Sequence, residues 1–175
     1  MVDFRYKVRH FFQYAVIRAT KGANVAAQKK RRNGYMTGMQ GVYLVAAELT
    51  KRGMIVSPTS RGSFGADLLV TDAKCKKAWS VQVKTNYARP KFWLLNKNSK
   101  KTASTSHVYV LVNLGQATEK QPRSPPDFYI VSSRVISEYM FIGTAKTGTR
   151  FPVISLKDVV EYKDKWTVFG KIEAV

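Results

Sequence analysis

The chain has 175 residues, 45% of them apolar, enough for one domain with a sizeable core. Thirty Lys and Arg against eleven Asp and Glu leave a net charge of +19, which calls for a polyanionic partner, nucleic acid ahead of an acidic membrane surface. The absence of any run of about 20 apolar residues excludes a membrane-spanning helix, and the lone Cys75 excludes an intrachain disulfide and fits a reducing, cytoplasmic compartment.

Residues 1–36 stand apart as a basic accessory segment. Phe4, Val8, Phe11, Phe12 and Ala15 recur at helical spacing, with Arg5, Arg9 and Arg18 elsewhere on the wheel, which predicts a basic amphipathic helix. Its apolar stretch is too often interrupted by cations to be built as a secretory signal. The segment ends in Lys29-Lys30-Arg31-Arg32 and carries nine cations against the single Asp3. Two readings stand side by side: an arm for nucleic acid or a membrane surface, or a segment accessory to the fold.

Residues 37–175 form the expected domain. A helix is predicted from Thr37, where Thr37 and Gln40 make a capping box, and Gly53 stops it. Val42, Val45, Ala46 and Leu49 fall on one face, which should pack on a sheet. Glu48, the only acid in this helix, lies about 120° round the wheel from Val42 and is expected in solvent. Met54 to Pro58 reads as a strand. The loop from Thr59 to Gly65 combines hydroxyls, glycines and Arg61, a composition that suits a phosphate.

Two apolar runs follow, Ala66 to Thr71 and Trp79 to Lys84, around a polar turn containing Asp72, Lys74, Lys76 and Lys77. A turn centred near Cys75 puts Asp67 opposite Lys84, Leu69 opposite Gln82 and Thr71 opposite Ser80. Alternation then gives one face to Leu68, Val70, Val81 and Val83 and the other to Asp67, Gln82 and Lys84. A carboxylate, an amide carbonyl and an ammonium at one end of a hairpin can hold a hard divalent cation and place a water beside it. The same three residues also suit an ordinary strand edge with a solvated Asp and Lys.

Between Asp72 and Glu119 there are nine cations and no acid. Tyr87, Phe92 and Trp93 are interleaved with them, surfaces on which splayed bases can stack. Trp93 and Leu94 are expected on a strand or its edge, Asn96 to Ser106 in a polar, helical stretch, and His107 to Asn113 on a strand with His107 structural. Asp127 to Val131 is the next strand, and Ser132-Ser133 caps a helix through Tyr139. Lys146 and Arg150 bracket a turn before a short strand from Phe151 to Ile154. Ser155 and Asp158 are expected to cap a last helix through Tyr162, with Trp166 and Phe169 packing the tail.

From Thr37 to Val112 this order of elements resembles the core of the PD-(D/E)XK nuclease superfamily, carried by Ala66-Asp67 on one strand and Gln82-Val83-Lys84 on the next. Holliday-junction resolvases, restriction enzymes and some intron-encoded homing endonucleases share that core, and a Gln in place of the second acid occurs among the homing enzymes. The resemblance implies an α/β fold of restriction-endonuclease type, with a mixed central sheet flanked by helices. It implies metal-dependent hydrolysis of DNA phosphodiesters, with Asp67, the Gln82 side chain and the Val83 carbonyl on Mg²⁺ or Mn²⁺ and Lys84 orienting or activating the water. The surrounding cations Arg61, Arg89, Lys91, Lys97, Lys100 and Lys101 are expected to contact nucleic acid, and a homodimer is left open. One departure stands out: relatives often present a Glu just after a glycine on the first helix, and the position after Gly41 is Val42. A catalytically silent nucleic-acid-binding domain on the same core is therefore the competing expectation.

Overall fold

The computed structural model describes residues 33–60, 65–101, 103–120, 122–145 and 147–170. The predicted amphipathic segment and Arg61 lie outside the described residues. From Gly34 the chain forms helix α1 (Gly34–Lys51) and strands β1 (Ile55–Pro58), β2 (Leu68–Thr71), β3 (Ala78–Asn86) and β4 (Phe92–Leu94). A 3₁₀ turn at Lys97–Lys101 leads to β5 (His107–Asn113) and β6 (Asp127–Ser132), followed by helix α2 (Ser133–Tyr139) and strands β7 (Phe141–Thr144) and β8 (Arg150–Ser155). Three further 3₁₀ turns end the described chain.

Five strands make a mixed sheet in the order β1-β2-β3-β5-β6, in which only β3 and β5 run parallel. The parallel pair needs a crossover, and β4 with the first 3₁₀ turn supplies it. Every residue of β5 is buried, as expected of a central strand covered on both faces. Val108, Val110 and Val112 turn to one side with Val81 and Val83, where Val42, Val45 and Leu49 of α1 cover them and Trp166 and Phe169 close the layer. Tyr109 and Leu111 turn to the other side with Tyr129 and Val131, against Ile136 of α2, Trp93 of β4 and Ile154 of β8. The fold is thus α/β, a mixed sheet with a helix on each face.

A second sheet, β4-β8-β7, is antiparallel throughout. The Asn86 amide ties it to β3 by donating to the Phe92 carbonyl (3.0 Å), and the Trp93 indole donates to the Val112 carbonyl (3.1 Å).

Several elements differ from their sequence reading. Helix α1 starts at Gly34, so Thr37 is its fourth residue and not a cap. Asn96 to Ser106 yields only a 3₁₀ turn, and β7 is an additional strand. The expected last helix is replaced by 3₁₀ turns at Leu156–Asp158 and Val160–Tyr162, and the Ser155 side chain caps nothing. The adjacent β-branched Val159 and Val160 disfavour a helix, Lys163 is drawn into a bridge with Tyr129, and Asp164 has φ 53°. By contrast, Ser132 does cap α2, accepting from the Val135 amide (3.4 Å). Among the described residues no helix is long and apolar enough to cross a membrane.

Candidate functional site

The hairpin forms, but its register differs by two residues from the sequence reading. Leu68 pairs with Val81, Leu69 with Ser80 and Thr71 with Ala78, so Asp67 falls across from Gln82 and not from Lys84. The cause is in the turn. The Asp72 amide donates to the Lys77 carbonyl (3.1 Å), and its Oδ1 accepts from the Lys76 amide (2.7 Å) and the Lys77 amide (3.3 Å). This closes a loop centred one residue earlier than expected, with Cys75 at φ 52°. A shift of two conserves parity, so Gln82 and Lys84 keep the face away from α1, while Asp67, one residue before β2, lies at the sheet edge and also reaches the α1 side.

Asp67 sits just before β2, where β3 continues without a partner on that edge. Its amide donates to the Val81 carbonyl (2.8 Å), the last rung of the ladder. One step on, its side chain replaces the missing strand: Oδ2 accepts from the Val83 amide (2.7 Å) and from Nε2 of Gln82. The carboxylate therefore lies near the plane of the sheet. Because the amide and carbonyl of one strand residue point to the same edge, the Val83 carbonyl faces the same gap. Thr59 holds the approach to Asp67, its amide donating to the Asp67 carbonyl (3.0 Å) and its hydroxyl to the Ala66 carbonyl (2.8 Å). Gly65, at φ 86°, makes the turn into this segment.

Lys84 lies two residues beyond Gln82 on the same face, beside Leu111 in the β3–β5 register. Burial pulls its ammonium pKa below the ordinary lysine value, and the negative charge of Asp67 partly offsets that pull. On the opposite side, the carboxylate borders a cavity of about 330 Å³ between the first turns of α1 and the ends of β1 and β3. Tyr35, Gly38, Met39 and Val42 form its helical wall, and Thr59 and Ser60 its hydroxyl wall. Helix α1 comes this close because Gly41 is bare: a Cβ there would stand 1.9 Å from the Thr85 hydroxyl oxygen.

Val42, where an acid was the alternative, is buried and lines the cavity with Asp67 and Val83. Glu48 is not merely solvated. It is half-buried and paired with Arg52, whose guanidinium rests 4.4 Å from the Trp166 ring centroid. Arg89 pairs with Asp127 (3.1 Å) and donates to the Pro125 carbonyl (2.5 Å), so it tethers a loop to β6. Lys91, Lys97, Lys100 and Lys101 are exposed, and none of them lines the cavity. His107 is structural, its Nδ1 2.8 Å from the Ser80 hydroxyl and its pKa lowered by burial. Sequence reasoning passed over Thr59 as a positioning residue, over Tyr35, which lies before the expected helix start, and over Met39 in its first turn.

The donor set can be weighed against a divalent cation. Among the described residues no three His, Cys, Asp or Glu side chains cluster. Asp67 keeps Oδ1 for an ion, the Val83 carbonyl adds a second oxygen, and Gln82 has its carbonyl oxygen left once Nε2 is given to Asp67. Such a set fits Mg²⁺, which keeps several waters and takes one or two carboxylates together with substrate phosphates. It does not fit a closed all-protein cage. The chain matches no protein-family model and no curated protein sequence.

Proposed function

We propose that the chain is a metal-dependent endonuclease that hydrolyses DNA phosphodiester bonds at Asp67, Gln82 and Lys84, within a reducing, cytoplasmic compartment. The observation that supports it best is Asp67 held by Gln82 and the Val83 amide at the unpaired edge of β3, within electrostatic reach of Lys84 and bordering an open cavity. Asp67 Oδ1, the Val83 carbonyl and the Gln82 carbonyl oxygen would hold Mg²⁺ or Mn²⁺. When bound, the ion would supply charge neutralisation at the scissile phosphate and lower the pKa of a coordinated water. Lys84 moves the proton: an ammonium held below its usual pKa gives up its proton more readily, and in its charged form it stabilises the negative charge growing on phosphorus. The Val83 amide and Gln82 fix the carboxylate in place.

A specific observation also favours a second reading, a nucleic-acid-binding domain without cleavage. Asp67 Oδ2 is engaged by two donors of the chain itself, as in a structural carboxylate that finishes a strand edge, and Val42 brings no second acid. Cleavage of linear, branched and single-stranded DNA in Mg²⁺ and Mn²⁺, by wild type and Asp67→Ala, separates the two. Metal-dependent cleavage lost in Asp67→Ala is expected for the enzyme. DNA binding without cleavage in either protein establishes the binding domain.

A further inference from the structure

The small sheet has one face in the core and one in solvent, and the solvent face is aromatic. Trp93 and Ile154 pair on the inner face and are buried. Alternation puts Phe92 and Leu94 of β4, Phe151 and Val153 of β8 and Phe141 of β7 on the outer face. The register sets Leu94, Val153 and Phe141 in one row across the three strands, with Phe151 in the next row opposite Gly143. Gly143 leaves room for that ring: a Cβ there would stand 3.3 Å from Phe151 Cε2 and 3.3 Å from Val153 Cγ2. Val153 is covered by its neighbours, at 3% exposure, while Phe92 (43%), Leu94 (56%) and Phe141 (48%) present themselves to water.

Isolated exposed apolar residues need no explanation, but a contiguous aromatic face does. Its surroundings narrow the partner. Lys91 and Lys157 stand at one end of the sheet, where the Lys91 carbonyl accepts from the Leu156 amide (2.8 Å), and Arg150 begins β8 at the other. All three are exposed, and none is in an ion pair with a described residue. Glu138 and Asp158 are the acids near these strands in sequence, in a chain with a net charge of +19. Aromatic rings on a sheet face bordered by exposed cations form a stacking platform with phosphate contacts on its rim. Duplex DNA hides its base faces, so it cannot use such a surface.

We infer that the outer face of β4-β8-β7 binds single-stranded DNA, its bases stacked on Phe92, Phe141 and Phe151 and its phosphates held by Lys91 and Lys157. The one polar side chain the register sets among these rings, Ser155 opposite Phe92, turns its hydroxyl back to the Lys91 carbonyl (3.5 Å), so nothing on the face is left to read a 2′-hydroxyl, DNA is the partner and sequence preference is weak. This surface is independent of the Asp67 site.

The test is fluorescence anisotropy of a labelled oligo(dT) with the full chain. Phe141→Ala and Phe92→Ala are each expected to weaken binding about fivefold to a hundredfold with the slope of affinity against salt unchanged. Lys91→Gln and Lys157→Gln should each lower that slope by about one contact, whereas Arg150→Gln, on the other face of β8, should not. Phe141→Trp restores affinity, and the titration is run without divalent metal, which keeps this outcome separate from any failure of the hydrolytic reading. Wild-type affinity in a Phe92→Ser/Phe141→Ser double variant with an unaltered unfolding midpoint overturns the inference. So does tighter binding of oligo(U) than of oligo(dT), or a change in sedimenting mass on ring removal without a change in DNA affinity, which marks a self-association face.

Discussion

At the scale of residues, Lys84 and Val42 decide what the hairpin can do. Burial disfavours the charged form of Lys84, so the folded protein holds that proton less tightly than the unfolded chain does. Between the depressed folded value and the ordinary lysine value the unfolded state binds more protons, and stability rises with pH across that window. Lys84→Met removes this dependence. It is expected to flatten the alkaline limb of a stability profile measured by urea unfolding while abolishing cleavage. If Lys84 acts as the base, the wild-type cleavage rate should rise with pH to a plateau reached below the ordinary lysine pKa of about 10.4. A rate that tracks hydroxide with no plateau removes Lys84 from proton transfer. Val42 tests the metal. It borders the same cavity as Asp67, so Val42→Glu adds a carboxylate to a set that has one, and Gln82→Glu adds another. Both are expected to raise Mg²⁺ affinity in calorimetric titration and any cleavage with it. Without metal, a buried carboxylate costs stability of about 1–3 kcal/mol and is itself pushed toward the neutral form. Unchanged metal affinity in both folded variants leaves Asp67 as a structural carboxylate.

At the scale of elements, the site depends on how closely α1 approaches β3. Gly41 makes that approach possible, and an alanine there must displace Thr85, whose hydroxyl is buried with no hydrogen-bond partner in the structure. Gly41→Ala gains about 0.5–1 kcal/mol of helix propensity and loses about 1–3 kcal/mol to overpacking, so a net loss is expected in chemical unfolding. Trimming the neighbour should return part of it: Gly41→Ala with Thr85→Ala is expected to be less destabilised than the sum of the two single changes. Strict additivity means the helix does not sit on Thr85. The same elements show what a sequence can and cannot carry. Strand β5 is legible because its largely β-branched and aromatic residues from Val108 to Val112, centred on Tyr109 and Leu111, sit between polar His107 and Asn113, and all seven residues are buried. The faces of the hairpin are legible because parity survives a two-residue shift, whereas its register is not, since that is set by Asp72 binding the amides of its own turn. Strand β7 is hidden because its partner β8 belongs to a second sheet that local patterning cannot announce. The carboxylate just before β2 is legible as a residue, but its role in capping β3 arises only where Thr59 and the left-handed Gly65 set the backbone around it.

At the scale of the whole molecule, the charge that first suggests nucleic acid is not uniformly usable. Residues 37–175 alone hold 21 Lys and Arg against 10 acids, so the excess does not depend on the N-terminal segment. Seven of those acids fall after residue 118, while residues 73–118 hold nine cations and none. Some of these cations are already occupied. Arg89 is spent on Asp127 and the Pro125 carbonyl, whereas Lys97, Lys100 and Lys101 project from an exposed 3₁₀ turn whose backbone is anchored to α2 by the Ser137 hydroxyl on the Lys100 carbonyl (3.1 Å). Cations of the second kind release counterions when they meet phosphates, and those of the first kind do not. The plot of log affinity against log salt for duplex DNA is therefore expected to lose about 0.9 of slope for each of Lys97→Gln, Lys100→Gln and Lys101→Gln, with little change in thermal stability. Arg89→Gln is expected to leave the slope unchanged and to lower stability instead, because Asp127 then keeps, among the described residues, only Lys163 (2.7 Å) as an ionic partner. A slope that falls with Arg89 and not with the three lysines would place the duplex on the β6 side of the molecule and take the 3₁₀ turn out of the interface.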